Sequence, residues 1–247
     1  MIDQVHEVDE AYRRLPGVGP HAPHLGAALF TWVEPMPEHV VGYNRWYEDD
    51  HMITGAMVMP WMFSCRRFVS PTFLQHLRGP QGSRVAQPLE AGKYIGIYWI
   101  NEGRLEDHEQ WALGSNYRLH AEGRGSYRGA GHDPLEERRH VFTSFSDYLG
   151  PVYRNDAVPR DVHTLVQPYQ GLVVQVVDAT NDRAELDGVD KIVQVLHFLE
   201  ADPRECWDEL FADAEDRIAA SGVATLGVQA AFIPTNHGTN DYTDQLF

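Results

Sequence analysis

Lysine is almost missing from this chain: Lys93 and Lys191 are the only two in 247 residues. Acidic residues outnumber basic ones 36 to 20, for a formal net charge of −16. A surface that binds nucleic acid needs clustered Lys and Arg to release counterions from phosphates. The pairs Arg13-Arg14, Arg66-Arg67 and Arg138-Arg139 do not amount to that against such an acid excess. Nucleic acid is therefore not an expected partner, and the charge reads as a source of solubility. Cysteine is equally scarce. Cys65 and Cys206 stand far apart without a CxxC, which suggests free thiols in a reducing compartment rather than a secreted scaffold or a zinc site. No apolar run approaches the roughly 20 residues of a membrane span. The opening MIDQVHEVDEAYRRL is acidic and mixed, unlike a signal peptide. The expectation is a soluble cytoplasmic protein with no membrane partner.

Several chemistry-bearing motifs are also missing. GPQGSR (79–84) and GRGSYRGAG (123–131) lack the GKS/T or GxGxxG context of a phosphate loop, and no GxSxG nucleophile elbow occurs. His21 and His24 flank Ala-Pro without a third obvious ligand. Asp49, Asp50 and His51 are consecutive, so a helix cannot turn all three toward one ion. His237 sits in a polar tail, NHGTNDYTD, better read as solvated. The site is expected to use no metal and no cofactor.

What is present is an ordinary globular composition, 43% hydrophobic and 23% charged, on a chain long enough to bury a core without disulfides. Residues 1–25 read as an arm, punctuated by Pro16, Gly17, Gly19, Pro20 and Pro23. Strands are expected at 26–35, 63–70, 93–102 and 138–150, with helices at 38–51 and 104–122 and a Gly/Pro/Gln loop at 79–92. A connector at 151–170 carries Pro151, Pro159 and Pro168. In 171–247, strands are expected at 171–180, 191–201 and 224–234. One helix at 202–222 would start with an Asp202 cap, Pro203 at its first position and Glu205 in a capping box, and carry Trp207, Leu210, Phe211, Ala214 and Ile218 as its apolar stripe. Each half (26–150 and 171–247) thus runs strand, connection, strand, helix, strand, and the second has only NDRAELDGVD where the first inserts a helix and a strand. The reading is α+β: two ferredoxin-like halves, the second shortened, whose sheets pack or close into a barrel around a hydrophobic cavity.

The segment YNRWYEDDHM (43–52) concentrates the chemistry. Val40, Tyr43, Tyr47 and His51 form one helical stripe, and Tyr47 and His51, at i and i+4, are expected to share a face. Histidine exchanges protons near neutral pH and tyrosine can donate to an oxyanion, which makes His51 the candidate acid/base and Tyr47 its partner. The competing reading is a helix-end histidine favoured by the dipole, and core packing for Tyr43, Trp46 and Tyr47. His197 alternates with Val193, Val195 and Leu199, so an imidazole on that apolar face demands a partner or ligand. Gln175, Gln194 and Gln229 lie among apolar strand residues and would line a barrel or satisfy one another. His140 has a similar status.

WYEDDHM followed by RRF (66–68) resembles the WY-x-x-x-H…R-[RF] pattern of EthD-like proteins in the dimeric α+β barrel superfamily. The resemblance covers residues 26–150, and 171–234 only through element order; the second half has no equivalent of the motif. It implies a cavity between sheet and helices that the position of His51 faces, and a barrel that most members build from two chains. A duplicated chain can build it alone, and pairing into a homodimer stays open. Relatives include polyketide cyclases, lactone isomerases, decarboxylases, dehydratases and cofactor-free monooxygenases. The leading expectation is a cofactor-independent lyase or isomerase acting on an apolar aromatic or polyketide-like small molecule. His51 would be the acid/base, Tyr47 the donor to the oxyanion, and Arg66 or Arg67 the anchor of an acidic or phenolic group; Tyr43, His197, Gln194 and Gln175 would complete the binding surface. The alternatives are a cofactor-free monooxygenase on phenols and a non-catalytic binding barrel. A haem enzyme is disfavoured because neither His197 nor His163 has a proximal-ligand context.

Overall fold

In the computed structural model, residues 24–155, 160–179 and 192–247 are described; most of the N-terminal arm, His21, NDRAELDGVD and Lys191 lie outside them. The β-branched and aromatic run after His24 forms β1 (Leu25–Pro35), and Met36-Pro37 opens a 3-10 turn into α1 (Val40–Trp46). The helix does not end at His51. It widens into π-helix over Tyr47–His51 and Ile53–Met57. Then follow β2 (Met62–Val69), the short α2 (Thr72–Gln75), β3 (Tyr94–Asn101), α3 (Leu105–Ala121) and β4 (Arg138–Asp147). The remainder gives β5 (Gly171–Ala179), β6 (Ile192–Leu199), α4 (Pro203–Leu210), α5 (Ala214–Ala220) and β7 (Ala224–Pro234). No helix among the described residues is long and apolar enough to cross a membrane.

Every strand pairing is antiparallel, and the strand order is β4-β1-β3-β2-β7-β5-β6. β2 and β7 join through only Phe68↔Pro234 and Val69↔Ile233. The loop before β3 patches the rest of the β7 edge: Gly79 and Gln229 exchange backbone hydrogen bonds, and Ser83 Oγ donates to the Gly227 carbonyl at 2.7 Å. At the far ends of the order, Gln194 Nε2 on β6 donates to Ser144 Oγ (2.7 Å) and Ser146 Oγ (2.8 Å) on β4. The outermost strands therefore meet through side chains.

Strand alternation creates two cores. Phe30, Trp32, Ile95, Ile97 and Phe68 of the first sheet face Leu172, Val174, Val228 and Phe232 of the second. Trp32 meets Phe232 edge-on at 5.6 Å, and Phe198 packs on Phe68 and Trp99, each at 6.4 Å. Val162 and Leu165, from a 3-10 turn in the 151–170 connector, join this core. The space between the sheets is thus filled with rings and aliphatic chains, which overturns the expectation of a hydrophobic cavity there. The second core lies under the helices, where Tyr43, Tyr47, Tyr94, Tyr98, Val173, Trp207 and Ala231 gather.

The helix expected over 202–222 is broken. Asp202 caps it through the Arg204 N–H at 2.9 Å, but α4 ends at Leu210 and α5 restarts at Ala214. Gln229 Nε2 reaches up from β7 to the Phe211 carbonyl at 3.0 Å, satisfying an acceptor the broken helix leaves open. Leu210 consequently turns outward, 44% exposed, while Trp207, Phe211 and Ala214 stay buried.

Gly92 fixes the entry to β3. Its φ is +85°, and a Cβ there would lie 1.9 Å from Trp32 Nε1, which donates to the Gly92 carbonyl at 2.8 Å. Gly92→Ala should cost more than about 2 kcal/mol, because the side chain meets both left-handed strain and an indole in a filled core. Calorimetry checks this; a melting temperature within about 2 °C of the parent would contradict it.

Candidate functional site

The π-helix decides the site. Val40, Tyr43 and Tyr47 point into the helix-side core, 7%, 1% and 6% exposed. A π-turn stacks i on i+5 rather than i+4. Trp46 and His51 accordingly lie ring over ring, 4.3 Å between centroids and 21° from parallel, whereas Tyr47 and His51 are tilted at 5.8 Å. The i, i+4 pair thus meets at its rings, and Trp46 adds a closer stack. The ring on which His51 rests is Trp46, a residue read from the sequence as core.

The Tyr47 hydroxyl turns instead to the Tyr98 hydroxyl on β3, the two sharing a short hydrogen bond. Gly96 makes room for it: a Cβ there would sit 2.6 Å from Tyr47 Oη. Burial raises the pKa of both phenols, most for Tyr98, so they stay protonated and act as donors. Tyr43 and Tyr94 are likewise raised by burial, and Tyr94 accepts from Asn44 Nδ2 at 2.8 Å.

Arg67 lies among these rings, 1% exposed. Its guanidinium sits 3.9 Å from the Tyr94 centroid, 4.6 Å from Tyr47 and 5.3 Å from Tyr43, and Nη1 donates to Glu48 Oε1 at 2.9 Å. Arg67 is a pillar of the helix–sheet packing rather than a free anchor. Arg66, its neighbour on β2, points to the other face. It donates to the Gln167 carbonyl and borders a separate groove of about 390 Å³ with Cys65, Thr235 and His237. Arg66 is thus not part of the His51 site. Burial pushes the Cys65 thiol up to about 12, so no thiolate is available there.

His51 is half-buried, and its Nδ1 is buried without a hydrogen-bond partner among the described residues. Burial, with the positive charge of Arg138 second, pushes its pKa down to about 3, against a smaller opposing pull from Asp50. This shift favours the neutral imidazole at physiological pH. Asp50 is engaged by Arg124, whose Nε donates to it at 3.0 Å, and Asp49 pairs with Arg45 at 2.9 Å. Between the π-helix and α3 runs a groove of about 380 Å³, lined by Thr54, Val58, Trp111, Ser115, Leu119 and Arg124. His51 does not line this groove; its ring packs beside Gly55, where an added Cβ would lie 3.5 Å from it.

The second-half candidates gather elsewhere. His197 Nε2 and Gln175 Oε1 are 3.0 Å apart, Gln175 Nε2 donates to Gln229 Oε1 at 2.5 Å, and Gln229 holds Phe211. This chain of side chains under α4 satisfies itself, and His197 packs edge-on against Phe211 at 5.2 Å. A haem would have to displace Gln175 and Phe211 to reach His197, and His163 is exposed, so neither fits an axial ligand. Gln194 lies on the opposite strand face, joining β6 to β4. His140 Nδ1 is 2.8 Å from Thr143 Oγ1 at the protein surface.

Arg138, seen in the sequence only as half of an arginine pair, proves central. It opens β4, is 8% exposed, and stacks over Trp46 at 4.2 Å and Tyr43 at 5.7 Å. Its position at the start of a strand opposite Pro35 was the available signal; the cross-strand pairing that turns it toward α1 was not.

Neither a family model nor a curated protein matches the sequence. Among solved structures, the chain is similar to that of "Putative Chlorite dismutase TA0507", with a TM-score of 0.51 and 10% identity over 91% of this chain and all of that one. At that identity the likeness concerns the fold alone, an antiparallel α+β arrangement.

Proposed function

We propose that this chain is a cofactor-independent lyase or isomerase of EthD-like type, acting on an apolar aromatic or polyketide-like molecule at the His51 site. Two related ferredoxin-like halves would form its barrel from one chain. The matching orders β4-β1-β3 and β7-β5-β6, and the side-chain closure between β4 and β6, support that architecture. The observation that carries the function is the His51 imidazole: stacked on Trp46, with a buried nitrogen that has no partner among the described residues. A buried polar atom without a partner costs free energy unless a ligand meets it.

In this reading the neutral imidazole takes a proton from carbon or oxygen of the bound substrate and returns it to the product. The protonated Tyr47–Tyr98 pair stabilises negative charge nearby. A colourless, metal-free preparation should convert members of an aromatic and polyketide-like ketone panel, with products of lower mass by water or carbon dioxide, or of unchanged mass. Mass spectrometry with and without His51→Gln tests this. Oxygen uptake coupled to product would replace the lyase by a monooxygenase. Tight binding without turnover, unaffected by the substitution, would leave a binding barrel.

A further inference from the structure

β2 and β7 separate just beyond their short pairing. The Thr235 N–H donates to the Arg67 carbonyl at 3.1 Å, and the Thr235 hydroxyl donates to the same oxygen at 3.2 Å. Among the described residues, Met62–Arg66 of β2 pair only with β3. On their other side lies the groove of about 390 Å³. The Arg67 carbonyl faces the β7 side of its strand, so alternation turns the Cys65 N–H to that side too, into the groove.

Three segments give this groove its chemistry. β2 supplies Cys65 and Arg66, the stretch after β7 supplies Thr235 and His237, and the connector supplies Leu165, Val166 and Pro168 as an apolar wall. No carboxylate lines it among the described residues. The Cys65 thiol stays protonated and adds no negative charge. Arg67 has Glu48 as its acid, whereas Arg66 meets no carboxylate among the described residues and commits one N–H to the Gln167 carbonyl. Its Nε–H and second Nη group remain for another acceptor. His237 is exposed, with no hydrogen-bond partner among the described residues. Desolvation lowers its pKa most; Arg67 and Arg66 on β2 lower it further, against an opposing pull from Glu48 on the π-helix.

We propose that this groove is a second binding site, separate from His51, for a small organic acid. Its carboxylate would lie between Arg66 and His237, within reach of the Cys65 N–H, and its aliphatic body would cover Leu165, Val166 and Pro168. A guanidinium fork suits a carboxylate, and the apolar wall favours an organic acid over inorganic phosphate. In a chain of net charge −16, a groove with cationic groups and no lining acid draws an anion locally.

The test uses the full chain with isovalerate, its neutral isostere isovaleramide, and inorganic phosphate. Titration calorimetry should show isovalerate binding about tenfold or more tighter than isovaleramide, as charge-assisted hydrogen bonds require, with phosphate weaker than isovalerate. Arg66→Gln should abolish the preference for the acid, and Arg66→Lys should keep part of it. His237→Asn, in an exposed segment outside the sheet, should weaken isovalerate severalfold and leave isovaleramide unchanged. Histidine NMR should show His237 titrating at higher pH with isovalerate than without, since an anion stabilises the imidazolium. Equal affinity for acid and amide, a preference that survives in Arg66→Gln, or no binding of isovalerate up to about 10 mM overturns the proposal. Phosphate binding as tightly as isovalerate overturns the assignment to organic acids. Isovalerate binding that is lost in His51→Gln would place the acid at the other site and overturn it as well.

Discussion

His51→Ala is expected to lower kcat/KM on the order of 10²–10⁴-fold, the usual cost of losing a general base. The melting temperature should stay close to the parent's, since His51 is half-buried and its Nδ1 has no hydrogen-bond partner among the described residues to lose. The pH dependence separates this from an ordinary histidine. kcat/KM reports the free enzyme, where the His51 pKa is pushed down to about 3 by burial and by Arg138. The neutral, proton-accepting form is then fully present at any pH well above that value, so kcat/KM should show no histidine inflection near the ordinary 6.5. Stability carries the same signature. A histidine whose folded pKa lies below its unfolded one contributes stability that is present above about pH 6.5 and is lost as pH falls toward 3. The parent should therefore lose more stability than His51→Ala across that window. A rate in His51→Ala equal to the parent's would place the chemistry elsewhere.

Element positions were legible because they rest on local rules. KYIGIYWINE reads as a strand, and it is the central β3, buried on both faces. The candidate site was legible only as a segment. Helical spacing assumes 3.6 residues per turn, and the π-helix segments between Tyr47 and Met57 break that assumption where it matters, setting Trp46 closer to His51 than Tyr47. Polar residues on strands were ambiguous for another reason. Gln175, His197 and Gln229 satisfy one another across three strands, and Gln194 ties β6 to β4; only register shows which neighbours are in reach. Arg66 and Arg67 could not be separated before the strand assigned them to opposite faces. The break at Phe211–Asp213 was hidden because its compensation comes from Gln229, outside the helix.

The largest effect on stability is expected from Glu48→Leu. Glu48 and Arg67 are 6% and 1% exposed and meet at 2.9 Å. Glu48 also accepts from Arg45 Nη2 at 3.2 Å and from the Gly238 N–H at 2.9 Å, so it ties α1 to β2 and to the segment after β7. Removing the carboxylate leaves a guanidinium buried among three tyrosine rings, with no acid to offset its desolvation. Breaking such a pair from one side costs about 3–5 kcal/mol, or roughly 10 °C in melting temperature for a chain of this size. Arg67→Met should cost a similar amount by stranding Glu48. The double variant Glu48→Leu/Arg67→Met should recover much of the loss, because a matched apolar pair carries no desolvation penalty. Its recovery should be incomplete, since the Gly238 N–H and the ring stacking on Arg67 are lost as well. Denaturant unfolding of the four proteins closes the cycle and yields the coupling. A coupling below about 1 kcal/mol, the level of a surface ion pair, would mean that water reaches this pair and that the tyrosine cage does not isolate it.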